Sequence, residues 1–194
     1  MKRALVLPFV AALFLAGAAP ADAAIRKWSV EPAVHGAWMK IDKDLNVDDT
    51  SFSGVSLSLS VTPAFQVEAM TSTLTTESDF LDRSDDEYKQ DMTGLRVIGT
   101  FLSDQDVRTM PYLAAGTGRI KTAADRGGNR AVFEDESSYS EVALGTRIFI
   151  WKDFNIRPEL GLRHSRTINI AGRDTTHANF YFSVGLSWFL FGSK

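Results

Sequence analysis

The chain has 194 residues, a formal net charge of −3 and no cysteine. That length suits one domain, the missing cysteines exclude disulfide cross-links and a lipid-anchored N-terminal cysteine, and the charge balance gives no basic footprint for nucleic acid. No stretch after the N-terminus holds about 18 consecutive apolar residues, so a membrane-spanning helix is not expected.

Residues 1–23 read as a secretory signal peptide. Lys2 and Arg3 form a positive start, residues 4–18 are almost wholly apolar, and a run of small residues follows. Ala21 and Ala23 fit the small-x-small cleavage rule, so cleavage is expected after Ala23 or, one residue on, after Ala24. An uncleaved membrane anchor is the alternative, but the apolar run is short for a span. The leader removes Lys2, Arg3 and Asp22, which moves the formal net charge from −3 to −4. Residues 24–194 then form the mature domain.

Eight segments of alternating polarity follow. The first spans about 28–41, with Trp28, Val30, Pro32, Val34 and Trp38 on one face. In the second, Val55, Leu57, Leu59 and Val61 alternate with Gly54, Ser56, Ser58, Ser60 and Thr62. The third spans about 65–76. The fourth, about 92–102, turns Leu95, Val97 and Phe101 to one side. The fifth spans about 109–122. The sixth, about 138–151, aligns Val142, Leu144, Ile148 and Ile150, and the seventh, about 154–168, aligns Phe154, Ile156, Leu160 and Leu162. The eighth is the clearest: Phe180, Phe182, Val184, Leu186, Trp188 and Leu190 against Tyr181, Ser183, Gly185, Ser187, Phe189 and Phe191. A period of two means strand, and a wholly apolar face needs an apolar neighbour, either a second sheet or lipid.

The connections decide between these. Residues 63–64, 103–108 and 152–153 make short links; residues 42–50, 77–91, 123–137 and 169–179 make longer ones. Short turns at one end and longer loops at the other are the arrangement of outer-membrane barrels, with the short turns periplasmic. The fold class expected is all-β, an eight-stranded antiparallel up-and-down transmembrane β-barrel with both termini in the periplasm. Trp28, Trp38, Trp151, Trp188, Tyr112 and Phe154 are expected near strand ends or on outward faces, some of them in interfacial aromatic girdles.

The same alternation sends a set of charges inward: Glu31, Glu68, Glu141 and Glu159 with Arg96, Arg119, Lys121, Arg147, Arg157 and Arg163, joined by His35. A charge on the lipid face would cost about 2–4 kcal/mol at mid-membrane. An eight-stranded barrel is narrow enough for side chains to fill, so these groups must pair. The expectation is a closed, polar lumen that holds the barrel together, with a gated solute path as the alternative.

The alternation, the sorting of the loops and the length resemble the small outer-membrane barrel family of the OmpA transmembrane domain and the OmpX/Ail proteins, over about residues 25–194. The most specific motif is the last strand, where Ser183-Val184-Gly185-Leu186-Ser187-Trp188-Phe189-Leu190-Phe191 resembles the assembly signal polar-x-Gly-x-x-apolar-x-apolar-aromatic. Ser183, Gly185, Trp188, Leu190 and Phe191 carry the match; the chain departs from the family by continuing through Gly192-Ser193-Lys194. Pro111-Tyr112-Leu113-Ala114-Ala115-Gly116-Thr117-Gly118 resembles the family's fifth strand, and residues 154–164 its seventh. The resemblance implies a Gram-negative outer-membrane location. As partners it implies membrane lipid with lipopolysaccharide, the barrel-assembly machinery during biogenesis, and a surface ligand held by the loops. The peptidoglycan-binding domain of OmpA is not carried over. A monomer is expected, with no nucleic acid and no cofactor.

Other constellations point to less. Asp42, Asp44, Asn46 and Asp48 alternate as in a calcium loop, but Val47 stands where such a loop needs glycine and Ser53 where it needs glutamate. The acidic stretch 77–91 reads as a solvated loop. His164 and Ser165 evoke the His-x-Ser-Asn motif of lipid A deacylases, yet they are adjacent and successive strand residues face opposite sides. Residues 126–129 read as a loop tip, without the helix a phosphate loop requires. No catalytic or metal-binding residue is expected, and the chain is not read as an enzyme.

Overall fold

The computed structural model describes residues 25–40, 50–77, 86–101, 108–126, 131–168 and 174–191. The strands are β1 (Val30–Lys40), β2 (Thr50–Thr62), β3 (Phe65–Glu77), β4 (Asp86–Thr100), β5 (Thr109–Arg126), β6 (Ala131–Phe149), β7 (Phe154–Ile168) and β8 (Asp174–Trp188). Each pairs antiparallel with its neighbours in sequence, and β8 closes on β1.

One ladder row shows both the closure and its purpose. From Val30 it passes through Leu59, Val67, Val97, Ala115, Val142, Leu162 and Phe180, and re-enters β1 at Lys40, ten residues along. That stagger tilts the strands by about 40° to the barrel axis. Every residue of the row before Lys40 is apolar and faces out. Leu95, Leu144 and Val34 likewise leave 60%, 57% and 55% of their surface exposed. An apolar band this continuous has its match in hydrocarbon, not water.

The structure extends the expected elements at one end. β3 and β4 stay paired to Glu77↔Glu87, β4 and β5 to Asp86↔Arg126, and β5 and β6 to Asp125↔Ala131. Residues 86–91 of the expected loop 77–91 and most of the expected loop 123–137 are therefore strand, and β8 likewise begins at Asp174, paired with Ile168. These extensions were unreadable because they carry no sustained alternation: Asp86-Glu87-Tyr88-Lys89-Gln90-Asp91 is almost continuously polar, and Ala131-Val132-Phe133-Glu134-Asp135-Glu136-Ser137 runs from apolar to polar without a period of two. The short links 63–64 and 152–153 lie at the opposite end, called here the turn end. The expected leader and the calcium-like residues 42–48 fall outside the described residues.

Candidate functional site

The interior holds three polar layers. Nearest the turn end, Arg147 grips Glu31 with two parallel bonds, Nε to Oε1 at 3.2 Å and Nη2 to Oε2 at 3.1 Å. Both side chains are wholly buried. Arg147 also donates to Gln66, and Ser187 donates to Glu31 at 2.6 Å. The planar guanidinium suits this fork, which a lysine could not make.

In the middle layer two carboxylates act as hubs. Glu68 accepts from Arg96, from Arg157 Nη1 at 2.8 Å and from Ser58 at 2.6 Å. Glu159 accepts from Arg96 Nη1 at 2.8 Å, from the Tyr112 hydroxyl at 2.8 Å and from the Tyr181 hydroxyl at 3.1 Å. In the third layer Arg163 donates to Glu141 through Nε at 3.2 Å and Nη2 at 2.9 Å. The rings of Phe52, Tyr139 and Tyr181 surround its guanidinium at 5.4, 4.8 and 5.2 Å. Among the described residues four buried carboxylates thus face four buried guanidinia.

Apolar groups close both ends of this stack. Met39, Phe52, Leu74, Met92 and Ile120 are buried towards the extended hairpins. Ile25, Met110, Phe149 and Phe189 form a second cluster at the turn end. Between them remains a cavity of about 20 Å³, bounded by His35, Arg96, Arg157, Glu159 and Tyr181 among others, which is room for about one water molecule. His35 Nε2 and Arg157 Nη2 have no hydrogen-bond partner among the described residues.

Eight of the ten charges expected inside are therefore brought together. Arg119 and Lys121 are not, and this is a correction: both side chains face outward. The inward positions of β5 run Met110, Tyr112, Ala114, Gly116, Gly118, Ile120 and Thr122. Arg119 is exposed and pairs with exposed Glu136 at 3.0 Å. Two causes misled the sequence reading. The alternation in β5 is between small residues, so its faces look alike. Both cations also lie beyond the apolar band on the hairpin side, where facing out carries no hydrocarbon penalty. Tyr112 is a second correction, since it is fully buried in the lumen and not in an interfacial girdle.

The tyrosines are the residues that sequence reasoning missed. Tyr112 sits opposite Gly145, Tyr139 opposite Gly118, and Tyr181 opposite Gly161. A Cβ at Gly145 or Gly161 would collide with the facing ring. Each ring lies across the bare backbone of the neighbouring strand, the arrangement by which an aromatic covers a strand glycine. The tyrosine–glycine pairing is visible only once register is known. Of the residues matched to the assembly signal, Ser183 and Gly185 face inward, while Trp188, Leu190 and Phe191 are exposed. His164 is exposed and Ser165 buried on opposite faces of β7, so they do not converge.

Residues 9–188 match the family model described as outer membrane protein beta-barrel domain. The chain belongs to this outer-membrane β-barrel family. Its location is accordingly the outer membrane. Among solved structures, this outer-membrane barrel is similar to Neisserial surface protein A, with a TM-score of 0.64 at 13% identity over 83% of this chain and 96% of that one. It is also similar to OprG from Pseudomonas aeruginosa, TM-score 0.60 at 10% identity over 89% and 100%. Ail, the attachment invasion locus protein of Yersinia pestis, gives 0.55 at 9% identity over 84% and 99%. At these identities the likeness is one of fold. Among curated proteins no sequence matches the outer-membrane barrel.

Proposed function

We propose that this barrel is a closed surface protein, anchored by its outward band and acting through the sheet that projects beyond it. The projecting sheet carries the reading. β3, β4, β5 and β6 remain paired there, whereas β6 meets β7 only from Tyr139↔Ser165 inward. Residues 131–138 of β6 thus have no partner on that side among the described residues. An open strand edge is a template for an incoming strand. This one contains Glu134, Asp135 and Glu136 in sequence. A second copy would set like charges against like, which disfavours pairing, so an extended basic segment of another protein is the complementary partner. In this reading the turn end faces the periplasm, residues 1–23 are a removed leader, and the barrel is a monomer in lipid and lipopolysaccharide. Its last strand is the one read by the assembly machinery, through Ser183, Gly185, Trp188, Leu190 and Phe191.

The paired lumen and its two apolar caps support closure. They also speak against the alternative of a narrow channel or hydrophobic-solute conduit, because the interior is occupied by side chains along its length. A lipid A-modifying activity has no support from His164 and Ser165, which point apart. Planar-bilayer recording of the purified protein tests the central claim: no sustained conductance is expected, and a steady ohmic current would overturn the closed lumen.

A further inference from the structure

The cap at the turn end is not made by the barrel alone. Met110 and Phe149 come from β5 and β6, and Phe189 follows β8 directly; Phe149 and Phe189 stack at 6.0 Å with 22° between their planes. The fourth member, Ile25, belongs to no strand, yet only 2% of its surface is exposed. It reaches the cluster because the chain folds back before β1 begins. Trp28 turns the backbone at a φ of 60°, in the left-handed region a bulky residue rarely adopts. Strain of this kind persists only where the surroundings hold it.

The holding contacts are few and lead to one place. Trp28 N donates to Ser60 O at 2.6 Å, and Ser60 N to Ser29 O at 2.9 Å. Ser29 Oγ contacts Ser60 Oγ at 2.9 Å, and Gln66 Nε2 donates to Ser60 Oγ at 2.7 Å. Gln66 in turn accepts from Arg147, the cation of the Glu31 pair. Arg147 lies 5.8 Å from the centre of the Phe189 ring in the cap itself. The backward fold is thus joined to the charged layer it covers, by a short segment with few backbone bonds. Such segments open at low free energy relative to the whole fold.

We propose that residues 25–29 are a stopper for the turn-end mouth of the lumen, seated by Ile25 and latched through Ser29 and Ser60 to the Arg147–Glu31 layer. With the stopper seated, the layer is dry. With it withdrawn, water reaches Arg147 and Glu31 while the middle layers and the opposite cap stay closed. The barrel then has a shallow, polar vestibule at one end that a seated Ile25 abolishes, and no through-pore in either state.

The absence of native cysteine makes the stopper directly testable. Thr100 is buried, and Arg147 Nη1 lies 3.5 Å from its hydroxyl, so Thr100→Cys reports on the covered layer. Ser72, buried on the hairpin side of the lumen, supplies a second reporter as Ser72→Cys. The protein carrying either reporter is extracted folded, as it is processed in the cell, from outer membranes and treated with a charged, water-soluble thiol reagent. Only the folded band on an unheated gel is scored. Thr100→Cys should react slowly. Adding Ile25→Ser should speed it at least tenfold, and Ile25→Leu should leave it slow. Ser72→Cys should stay slow in every background. Equal Thr100→Cys rates with Ile25 and Ile25→Ser would overturn the stopper. So would acceleration at both reporters together, because the variant would then have loosened the barrel as a whole.

Discussion

Tyr181 lies across Gly161. The two are direct cross-strand partners in the β7–β8 ladder, and the space a side chain at Gly161 would need is occupied by the tyrosine ring. From that position the Tyr181 hydroxyl reaches Glu159 at 3.1 Å, and the ring forms one wall of the cage around Arg163. A residue without a side chain is thus what lets an aromatic serve two charged layers at once.

Gly161→Val should destabilise the barrel by about 1–3 kcal/mol, the usual cost of overpacking a filled interior. Tyr181→Phe keeps the ring and loses one hydrogen bond, so about 1 kcal/mol is expected. The midpoint of heat-induced mobility shift on gels, or of urea unfolding in micelles, ranks the two. A Gly161→Val protein as stable as the parent would mean the ring is free to move aside.

The Arg163–Glu141 pair offers a cycle. Arg163→Met alone leaves the buried Glu141 carboxylate with only the longer contact to Arg96 Nη1 at 3.8 Å, and Glu141→Leu alone leaves a buried guanidinium; each should cost about 3–5 kcal/mol. The double variant removes both charges and should recover most of that loss. If the double variant is worse than either single one, the layer stabilises through more than charge pairing.

Arg119 and Lys121 provide the contrast. Arg119→Ala and Lys121→Ala should each change stability by no more than about 0.5 kcal/mol, because an exposed ion pair contributes little. Arg96→Ala, which strips Glu68 and Glu159 of a shared partner, should be near the limit of folding. Unfolding curves of the three variants side by side would show whether outward placement is right: a large Arg119 effect contradicts it.

The open edge of β6 predicts a binding phenotype. Proline at both Val132 and Ala131 removes backbone donors from the edge, whichever of the two points away from β5, and proline cannot serve a ladder. Cells displaying the barrel should retain extended lysine-rich peptides on their surface, and the proline variant should lose that retention while remaining folded. Equal retention by both would remove the edge from the proposed function.

Processing is tested by mass. Protein recovered from outer membranes should begin at Ala24 or Ile25, as cleavage after Ala23 or Ala24 requires. Full-length mass in the membrane fraction would instead indicate a retained anchor.

How much of this could be read in advance follows from where each residue sits. β8 was legible because every even position from Phe180 to Leu190 is large and apolar, and only lipid or a second sheet demands such a face. The same demand placed Glu31, Glu68, Arg96, Glu141, Arg147, Arg157, Glu159 and Arg163 inside, since each lies within the apolar band and a charge facing lipid there is costly. Beyond the band that penalty vanishes. Arg119 and Lys121 could face either way, and residues 86–91 or 131–137 could be strand or loop, without any trace in their polarity. Register decided those, through backbone bonds that sequence does not display. Register also set Tyr181 against Gly161 and chose which arginine meets which glutamate, at a sequence separation of 116 for Arg147 and Glu31. Amino-acid order determined strand, count and face, because burial in lipid is a local property. Only the closed barrel decided the partners, because pairing across a lumen depends on the stagger at which the last strand meets the first.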